Sequence, residues 1–409
     1  MQKSEFYREA RSDIAGPLAG VRIVEFTTTW AGPMAGCILA DFGADVIKVE
    51  HPAGEVARRS PPLLPGTNPP VSFMQATLNR NKRSLTLDLH APRGREIFLD
   101  LCGRSDIVIE NFRPGALDGW GVGYRELRAR KHDLILVSIS GFGQYGRDHD
   151  RAGYDPLAQA ASGFISLNGS PDGEPVKAPT FIGDDLSGLH AALGAMAALR
   201  HRDRTGEGQH VDISLLDSIL FQSTGYLTLG AMDVELPRLG NQFRIAAPAN
   251  VYKCRDGSAM VGVLVDAHWK RLARVLGRPE LADDPGYATT AARLARRAQV
   301  DALVADWMAE RTVAEAEAAL LAEGLPIAPV RTYAEAARDP HVADREMLQA
   351  TTVEGNPRIP VVGPAAKFSR TPVRVRSGAP AIGAHNEEIL AELGVDASER
   401  AELKKSGVV

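Results

Sequence analysis

The sequence predicts an α/β protein whose large domain is Rossmann-like, with a parallel sheet covered by helices. Three observations predict it. Short apolar runs alternate with helix-length segments through the first 140 residues, which is the βαβ rhythm of a parallel sheet. Glycine and proline punctuate the strand-to-helix turns. The chain, at 409 residues and 44% hydrophobic, exceeds the usual size of one compact domain, so two are expected.

Val21 to Phe26 reads as a buried strand, Thr27 to Pro33 as a turn, and Met34 to Phe42 as a helix that Gly43 can end. Asp45 to Glu50 is the second strand. A helix near Arg93 to Cys102, a strand from Asp106 to Glu110 and another from Leu134 to Ser140 continue the alternation. Gly32 and Gly36 do not form the G-x-G-x-x-G of a dinucleotide cradle, which discounts NAD. A small-residue helix is predicted over Leu186 to Arg202, able to pack closely against its neighbours. A strand and a helix follow to about Gly230, and the polar segment Asp233 to Arg244 reads as a linker. Beyond it come a strand near Met260 to Val265 and helices over His268 to Leu276, Ala298 to Met308 and Val313 to Leu321. The tail from Arg331 is extended and ends in a helix over Glu387 to Leu393. The expected division is 1–225 for the first part of a large domain, 226–330 for a small middle α+β domain with its linkers, and 331–409 for a C-terminal segment.

A net charge of -4 with interspersed signs gives no general attraction for nucleic acid or anionic membrane. The Arg293 to Arg297 stretch reads as a solvated helix face. Neither a signal peptide nor a bilayer-spanning apolar run is seen, so a cytoplasmic location is expected. Cys37, Cys102 and Cys254 lack metal-ligand spacing and form no disulfide framework, so no metal is expected.

Four segments carry candidate chemistry. Asp184 lies in Phe181-Ile-Gly-Asp-Asp-Leu-Ser-Gly188 at the start of the small-residue helix, where the helix dipole should favour its ionised form. An ordinary N-cap is the competing reading. Asn111 to Gly115 follows a strand end, the ligand-binding edge of open α/β sheets, but is also plain turn chemistry. Asn79 to Ser84 sets Arg80, Lys82 and Arg83 before a strand, suited to phosphates or simply to an exposed turn. Tyr154, Asp155 and Gln159 share a pre-helical segment and can cap or pack. With no Ser-His-Asp order, Walker motif or H-E-x-x-H, the residues by themselves reach an α/β enzyme of open substrate.

Taken in order, these segments resemble the class III CoA-transferases, the CaiB/BaiF group that includes formyl-CoA transferase, carnitine CoA-transferase and α-methylacyl-CoA racemase. The resemblance runs from Pro17 to Phe26 through Gly32-Pro33, Phe42 to Glu50, Asn81 to Ser84 and Glu110 to Ala116. It continues through Tyr154-Asp155, Gly183-Asp184 with Gly188, Arg204 to Gln209, and Gly383 with His385. It implies that Asp184, rather than Asp185, is a covalent nucleophile that moves CoA between carboxylic acids through an aspartyl-CoA thioester. No permanently bound cofactor is implied; a coenzyme A thioester is substrate.

The resemblance further implies CoA contacts at Thr29, Ala31, His51, Leu78, Asn81, Lys82, Asn111 and Phe112. It implies assistance from Trp30, Tyr154, Asp155 and Gln159, and, through Asn241 and Arg244, acceptor contacts. It also implies an interlocked homodimer whose large domain is built from both termini. Succinyl-CoA is a reasonable donor. Tyr154 stands where the racemase branch has a histidine, which counts against paired acid-base chemistry at the α-carbon. Intramolecular CoA migration and an inactive CoA-binding module are the alternative readings. Gly119, Ser140 and His51 replace basic residues of formyl-CoA transferase, so contacts to the CoA phosphates must be redistributed.

Overall fold

The computed structural model describes residues 1–409 and divides into two compact units. The first comprises residues 1–164, 177–234 and 341–409; the second comprises 165–176 and 235–340.

The first unit is organised by six strands: β1 (Arg22–Phe26), β2 (Asp45–Glu50), β3 (Lys82–Thr86), β4 (Ile107–Glu110), β5 (Ile135–Ser140) and β6 (His210–Ser214). Their spatial order is β3-β2-β1-β4-β5-β6, and every pairing is parallel. Alternate residues serve opposite faces. Ile23, Ile107, Ile109, Ile135, Val137 and Ile139 enter one core, while Val24, Phe26, Val108, Leu134 and Leu136 enter the other. Burial on both faces explains why these strands read as continuous β-branched runs instead of alternating patterns. Helices α1 (Ala31–Asp41), α2 (Phe73–Leu78), α3 (Pro92–Gly103), α4 (Asp155–Ala161), α5 (Ile182–Thr205) and α6 (Leu215–Phe221) belong to this unit.

Helices α1 and α5 pack on the isoleucine face through contacts that only glycine permits. A Cβ on Gly188 of α5 would sit 2.8 Å from the Met34 Cβ, and one on Gly36 of α1 would sit 1.9 Å from Glu25 Oε2. Helix α5 begins a turn earlier than predicted, because the Gly183 amide is satisfied from outside the helix by Asp155.

In the second unit β7 (Ala249–Lys253), β8 (Ser258–Gly262) and β9 (Ile327–Pro329) form an antiparallel sheet. Helices α7 (Asp266–Val275), α8 (Arg297–Ala309) and α9 (Val313–Ala322) cover it around Trp269, Leu272, Val300, Val304 and Leu320. Its bounds differ from the expected 226–330. Tyr226 to Ala231 stay with the first unit, and 165–176 join the second, where Arg238 donates to the carbonyls of Ser166, Ser170 and Gly173.

The C-terminal residues return to the first unit but add no strand to its sheet. They contribute an antiparallel pair, β10 (Leu348–Val353) and β11 (Asn356–Val362), and the helices α10 (Asn386–Glu392) and α11 (Ala397–Lys405). Ile389, Leu390 and Leu403 complete the second of the two cores. No helix is long and apolar enough to cross a membrane.

Candidate active site

The strand order reverses at β1, with β2 and β3 on one side and β4 to β6 on the other. Crevices at such switch points, outside the carboxyl ends of the strands, are where open α/β sheets bind ligands. Here the crevice is bounded by Thr27–Ala31 after β1 and Asn111–Pro114 after β4. The two turns are stitched together: the Thr28 amide donates to Asn111 Oδ1 (2.8 Å), and Asn111 Nδ2 donates to the Thr28 carbonyl (2.8 Å). Thr29 holds a left-handed backbone (φ 61°), a conformation costing about 1–3 kcal/mol in a β-branched residue. Its amide is fixed by Glu55 Oε2 at 2.7 Å.

Beneath this turn lies a buried ionic cluster. Lys48 Nζ meets Glu25 (3.2 Å) and Glu55 (2.9 Å), and Lys82 Nζ meets Glu25 (2.6 Å), all essentially without solvent. Lys82 also donates to the Pro33 carbonyl and Asn79 Oδ1, and Thr27 Oγ1 donates to Glu25. The cluster thus ties β1, β2 and β3 to the strained turn.

Asp184 is the third residue of α5, not its N-cap; Phe181 occupies that position without a capping side chain. The neighbouring carboxylates have partners. Asp155 Oδ1 accepts the Gly183 amide (2.7 Å) and its Oδ2 accepts Gln159 Nε2 (2.7 Å), while Gln159 Oε1 accepts the Ala178 amide (2.9 Å). Asp155 and Gln159 therefore hold the segment that presents Asp184. Asp185 Oδ1 accepts Trp30 Nε1–H at 2.6 Å, with the indole edge-on to Phe181.

The Asp184 carboxylate has no cation beside it. Burial, then the charges of Asp155 and Asp185, push its pKa up to about 7. The expected preference for the ionised form at a helix start is thereby corrected: desolvation outweighs the helix dipole. Asp185 is shifted upward as well, by burial, with the Trp30 hydrogen bond opposing.

A cavity of about 560 Å³ opens over Asp184 at the ends of β1, β4 and β5. Of the residues singled out in the sequence, it gathers Thr29, Trp30, Ala31, Asn111, Phe112, Tyr154, Asp155 and Asp184. A second cavity, about 250 Å³, lies at the ends of β1, β2 and β3 and takes in His51. Thr28 and Phe112 line both.

Leu78, Asn81, Lys82 and Gln159 line neither cavity. Leu78 is packed away with Ala57 and Met74. Asn81 bridges Asp41 to the Arg374 carbonyl and accepts the amides of Arg376 and Ser377. The Lys82 ammonium is committed to the ionic cluster. Asn241 and Arg244 belong to the second unit, on the segment before β7, where Arg244 Nη2 donates to the Pro237 carbonyl at 2.7 Å.

Sequence reasoning missed Thr28, Glu55, Phe181 and Trp120. Thr28 was within reach, being part of the turn already identified. Glu55 and Trp120 reach the crevice only through tertiary packing. No group of three or more His, Cys, Asp and Glu side chains is arranged to hold a metal ion.

The model of CoA-transferase family III matches residues 18–386. Succinyl-CoA--D-citramalate CoA-transferase of Chloroflexus aurantiacus is 36% identical, over 96% of this chain and 98% of its own. Succinate--glutarate CoA-transferase of Agrobacterium fabrum is 37% identical, over 92% and 96%. A solved CAIB/BAIF family protein from Brucella suis superposes with a TM-score of 0.83 at 35% identity, covering 93% of this chain and 100% of its own.

Proposed function

The chain belongs to CoA-transferase family III and is an enzyme that transfers CoA; on that premise we propose that it works through a covalent aspartyl-CoA thioester on Asp184, with succinyl-CoA as donor. The Asp184 carboxylate attacks the thioester carbonyl, forming a mixed anhydride and expelling CoA thiolate. The thiolate attacks the aspartyl carbonyl of that anhydride, releasing the donor carboxylate and leaving aspartyl-CoA. A small organic acid then attacks the aspartyl thioester, and the thiolate returns to the acceptor's acyl carbon, regenerating Asp184. No proton is gained or lost over the cycle. Four easier acyl displacements replace one hard exchange.

The observation that carries this reading is the Asp184 carboxylate itself: at the floor of the cavity, without a cation, with its neighbours committed elsewhere. A carboxylate raised to about 7 is more basic and more nucleophilic than a solvated one, yet is still substantially ionised near neutrality. For oxyanion stabilisation we favour the Ala31 amide, which opens the first turn of α1, where helix amides lack intrahelical acceptors.

The CoA nucleotide we assign to the second cavity, whose Phe26, Phe112 and Trp120 rings form an aromatic cluster with centroids 4.7 to 5.7 Å apart. The pantetheine arm would then pass Thr28 toward Thr29 and Ala31. Tyr154 supplies no basic group for exchange of an α-proton, which favours transfer over racemisation.

We further propose a homodimer of interlocked chains. In its support the first unit exposes Leu189, Leu193, Phe221, Leu227 and Met232, an amount of apolar side chain suited to coverage by a second copy. Light scattering of the purified protein tests that. The catalytic proposal is tested by intact-mass analysis of wild type and Asp184→Ala after incubation with a panel of acyl-CoA thioesters and hydroxylamine or borohydride trapping. A CoA or acyl adduct on wild type alone is the expected result; wild type without adduct from any donor would sink the proposal.

A further inference from the structure

We propose that Arg113 and Arg151 form a site for the carboxylate at the far end of the acyl group, making dicarboxylic acids the class this enzyme handles. The proposal names the acid class of the Asp184 reading and rests on that reading for the place of the reacting carbon.

Both arginines line the cavity that holds Asp184. Arg113 follows directly on Phe112, in the turn that Asn111 locks to Thr28, and its guanidinium has no acidic partner within salt-bridge distance. Arg151 is carried by the loop after β5. That loop is closed at its neck by the backbones of Gly141 and Gly153, so near that a Cβ on Gly141 would lie 2.7 Å from the Gly153 Cα. Its ascending limb is pinned by the Gly143 amide on Ser140 Oγ (2.9 Å) and the Gln144 amide on Asp212 Oδ2 (2.9 Å). The Arg151 guanidinium lies 5.0 Å over the Phe142 ring, with a loose contact of 3.5 Å to Asp148. Two solvent-exposed guanidinium forks, one without a carboxylate partner and one with a loose one, therefore stand beside one cavity, and guanidinium forks bind carboxylates in paired hydrogen bonds.

CoA phosphates are the competing anions, and for Arg151 the sheet separates the two claims. The aromatic cavity suited to the nucleotide opens on the β2–β3 side of the switch point, whereas Arg151 stands on the β5 side. An anion at Arg151 thus lies on the β5 side of the Asp184 cavity, away from the nucleotide, on the side left to the acyl chain.

The test uses the full chain carrying Asp184→Asn to stop turnover, with and without Arg113→Met and Arg151→Met, which keep the side-chain stems. Calorimetry measures Kd for succinyl-CoA, butyryl-CoA and free CoA. The double arginine variant should lose about 10- to 100-fold in affinity for succinyl-CoA while butyryl-CoA and CoA change by less than about threefold. Equal weakening of all three ligands would reassign the arginines to CoA phosphates and overturn the proposal, as would unchanged succinyl-CoA binding. Because no covalent step enters, missing adducts in the wild-type trapping experiment would count against the Asp184 mechanism and leave this result standing.

Discussion

Two groups of desolvated carboxylates lie in the same unit, one beneath the Thr27–Trp30 turn and one that Trp30 of that turn touches, and they are handled in opposite ways. Under the Thr27–Trp30 turn, Glu25 and Glu55 are matched by Lys48 and Lys82 at 2.6 to 3.2 Å. For Lys48, burial disfavours the ammonium, but Glu55 and Glu25 more than offset it and the pKa rises; for Lys82, burial prevails over Glu25 and the pKa falls. At the start of α5, Asp184 is flanked by two further carboxylates and no cation, and its pKa climbs to about 7. A buried charge with its counter-charge is scaffold, because its geometry is closed. A desolvated carboxylate without one is costly to keep ionised, a cost that a proton, a reaction or a ligand can relieve. Acidic residues of one unit, fully buried under the turn and half-buried at the cavity, are thus set apart by what stands beside them.

The comparison breaks most visibly if a cation is removed. Lys48→Met leaves Glu25 and Glu55 buried without their shared partner and should destabilise the protein by about 3–5 kcal/mol, read by denaturant titration. Loss of less than about 1 kcal/mol would mean the cluster is hydrated and its pairing incidental.

The opposite change should occur at Asp184. The folded protein binds the Asp184 proton more tightly than the unfolded chain does, so ionisation costs stability increasingly from about pH 4 to pH 7 and by a constant amount above. Asp184→Asn should abolish the trapped adduct yet raise stability by about 1–3 kcal/mol at pH 8, a full three-unit shift being discounted for residual solvent contact. Near pH 4 the two proteins should unfold at nearly the same denaturant concentration. A variant less stable than wild type at pH 8 would show that the carboxylate is compensated after all.

Much of this contrast was hidden in the sequence, for a physical reason. The strands were legible because β1, β2, β4 and β5 are buried on both faces and read as apolar runs. The turn at Thr27 to Gly32, the Asn111 loop and Asp184 were legible because they sit at strand or helix ends. Whether Asp184 meets a cation is decided by partners that local sequence does not encode. Asp155 reaches Gly183 across 28 residues, and Trp30 reaches Asp185 across 155. Lys82 is the instructive miss. In Asn81-Lys82-Arg83 it reads as an exposed basic turn, but Lys82 is turned into the core by the period of β3, and Arg83 is the one left at the rim with Asp45 and Glu392. The excursion of 165–176 into the second unit likewise has no local signature, being held by Arg238 and the Gly240 amide some 70 residues away.

The finest test of the comparison concerns the neighbours of Asp184 rather than Asp184 itself. If adduct formation requires the ionised carboxylate, its second-order rate with an acyl-CoA should rise with pH through about 7 in wild type and level off above. Asp185→Asn removes one negative charge from the surroundings of Asp184 while its amide oxygen can still accept the Trp30 indole N–H, so the geometry is kept. The acid limb should then move to lower pH by a few tenths of a unit, because burial, the larger cause, is untouched. Since a less basic carboxylate is a weaker nucleophile, the plateau above pH 8 should fall slightly at the same time. A limb that stayed in place with an unchanged plateau would show that Asp185 is electrostatically silent, leaving desolvation and the charge of Asp155 to hold the Asp184 pKa up.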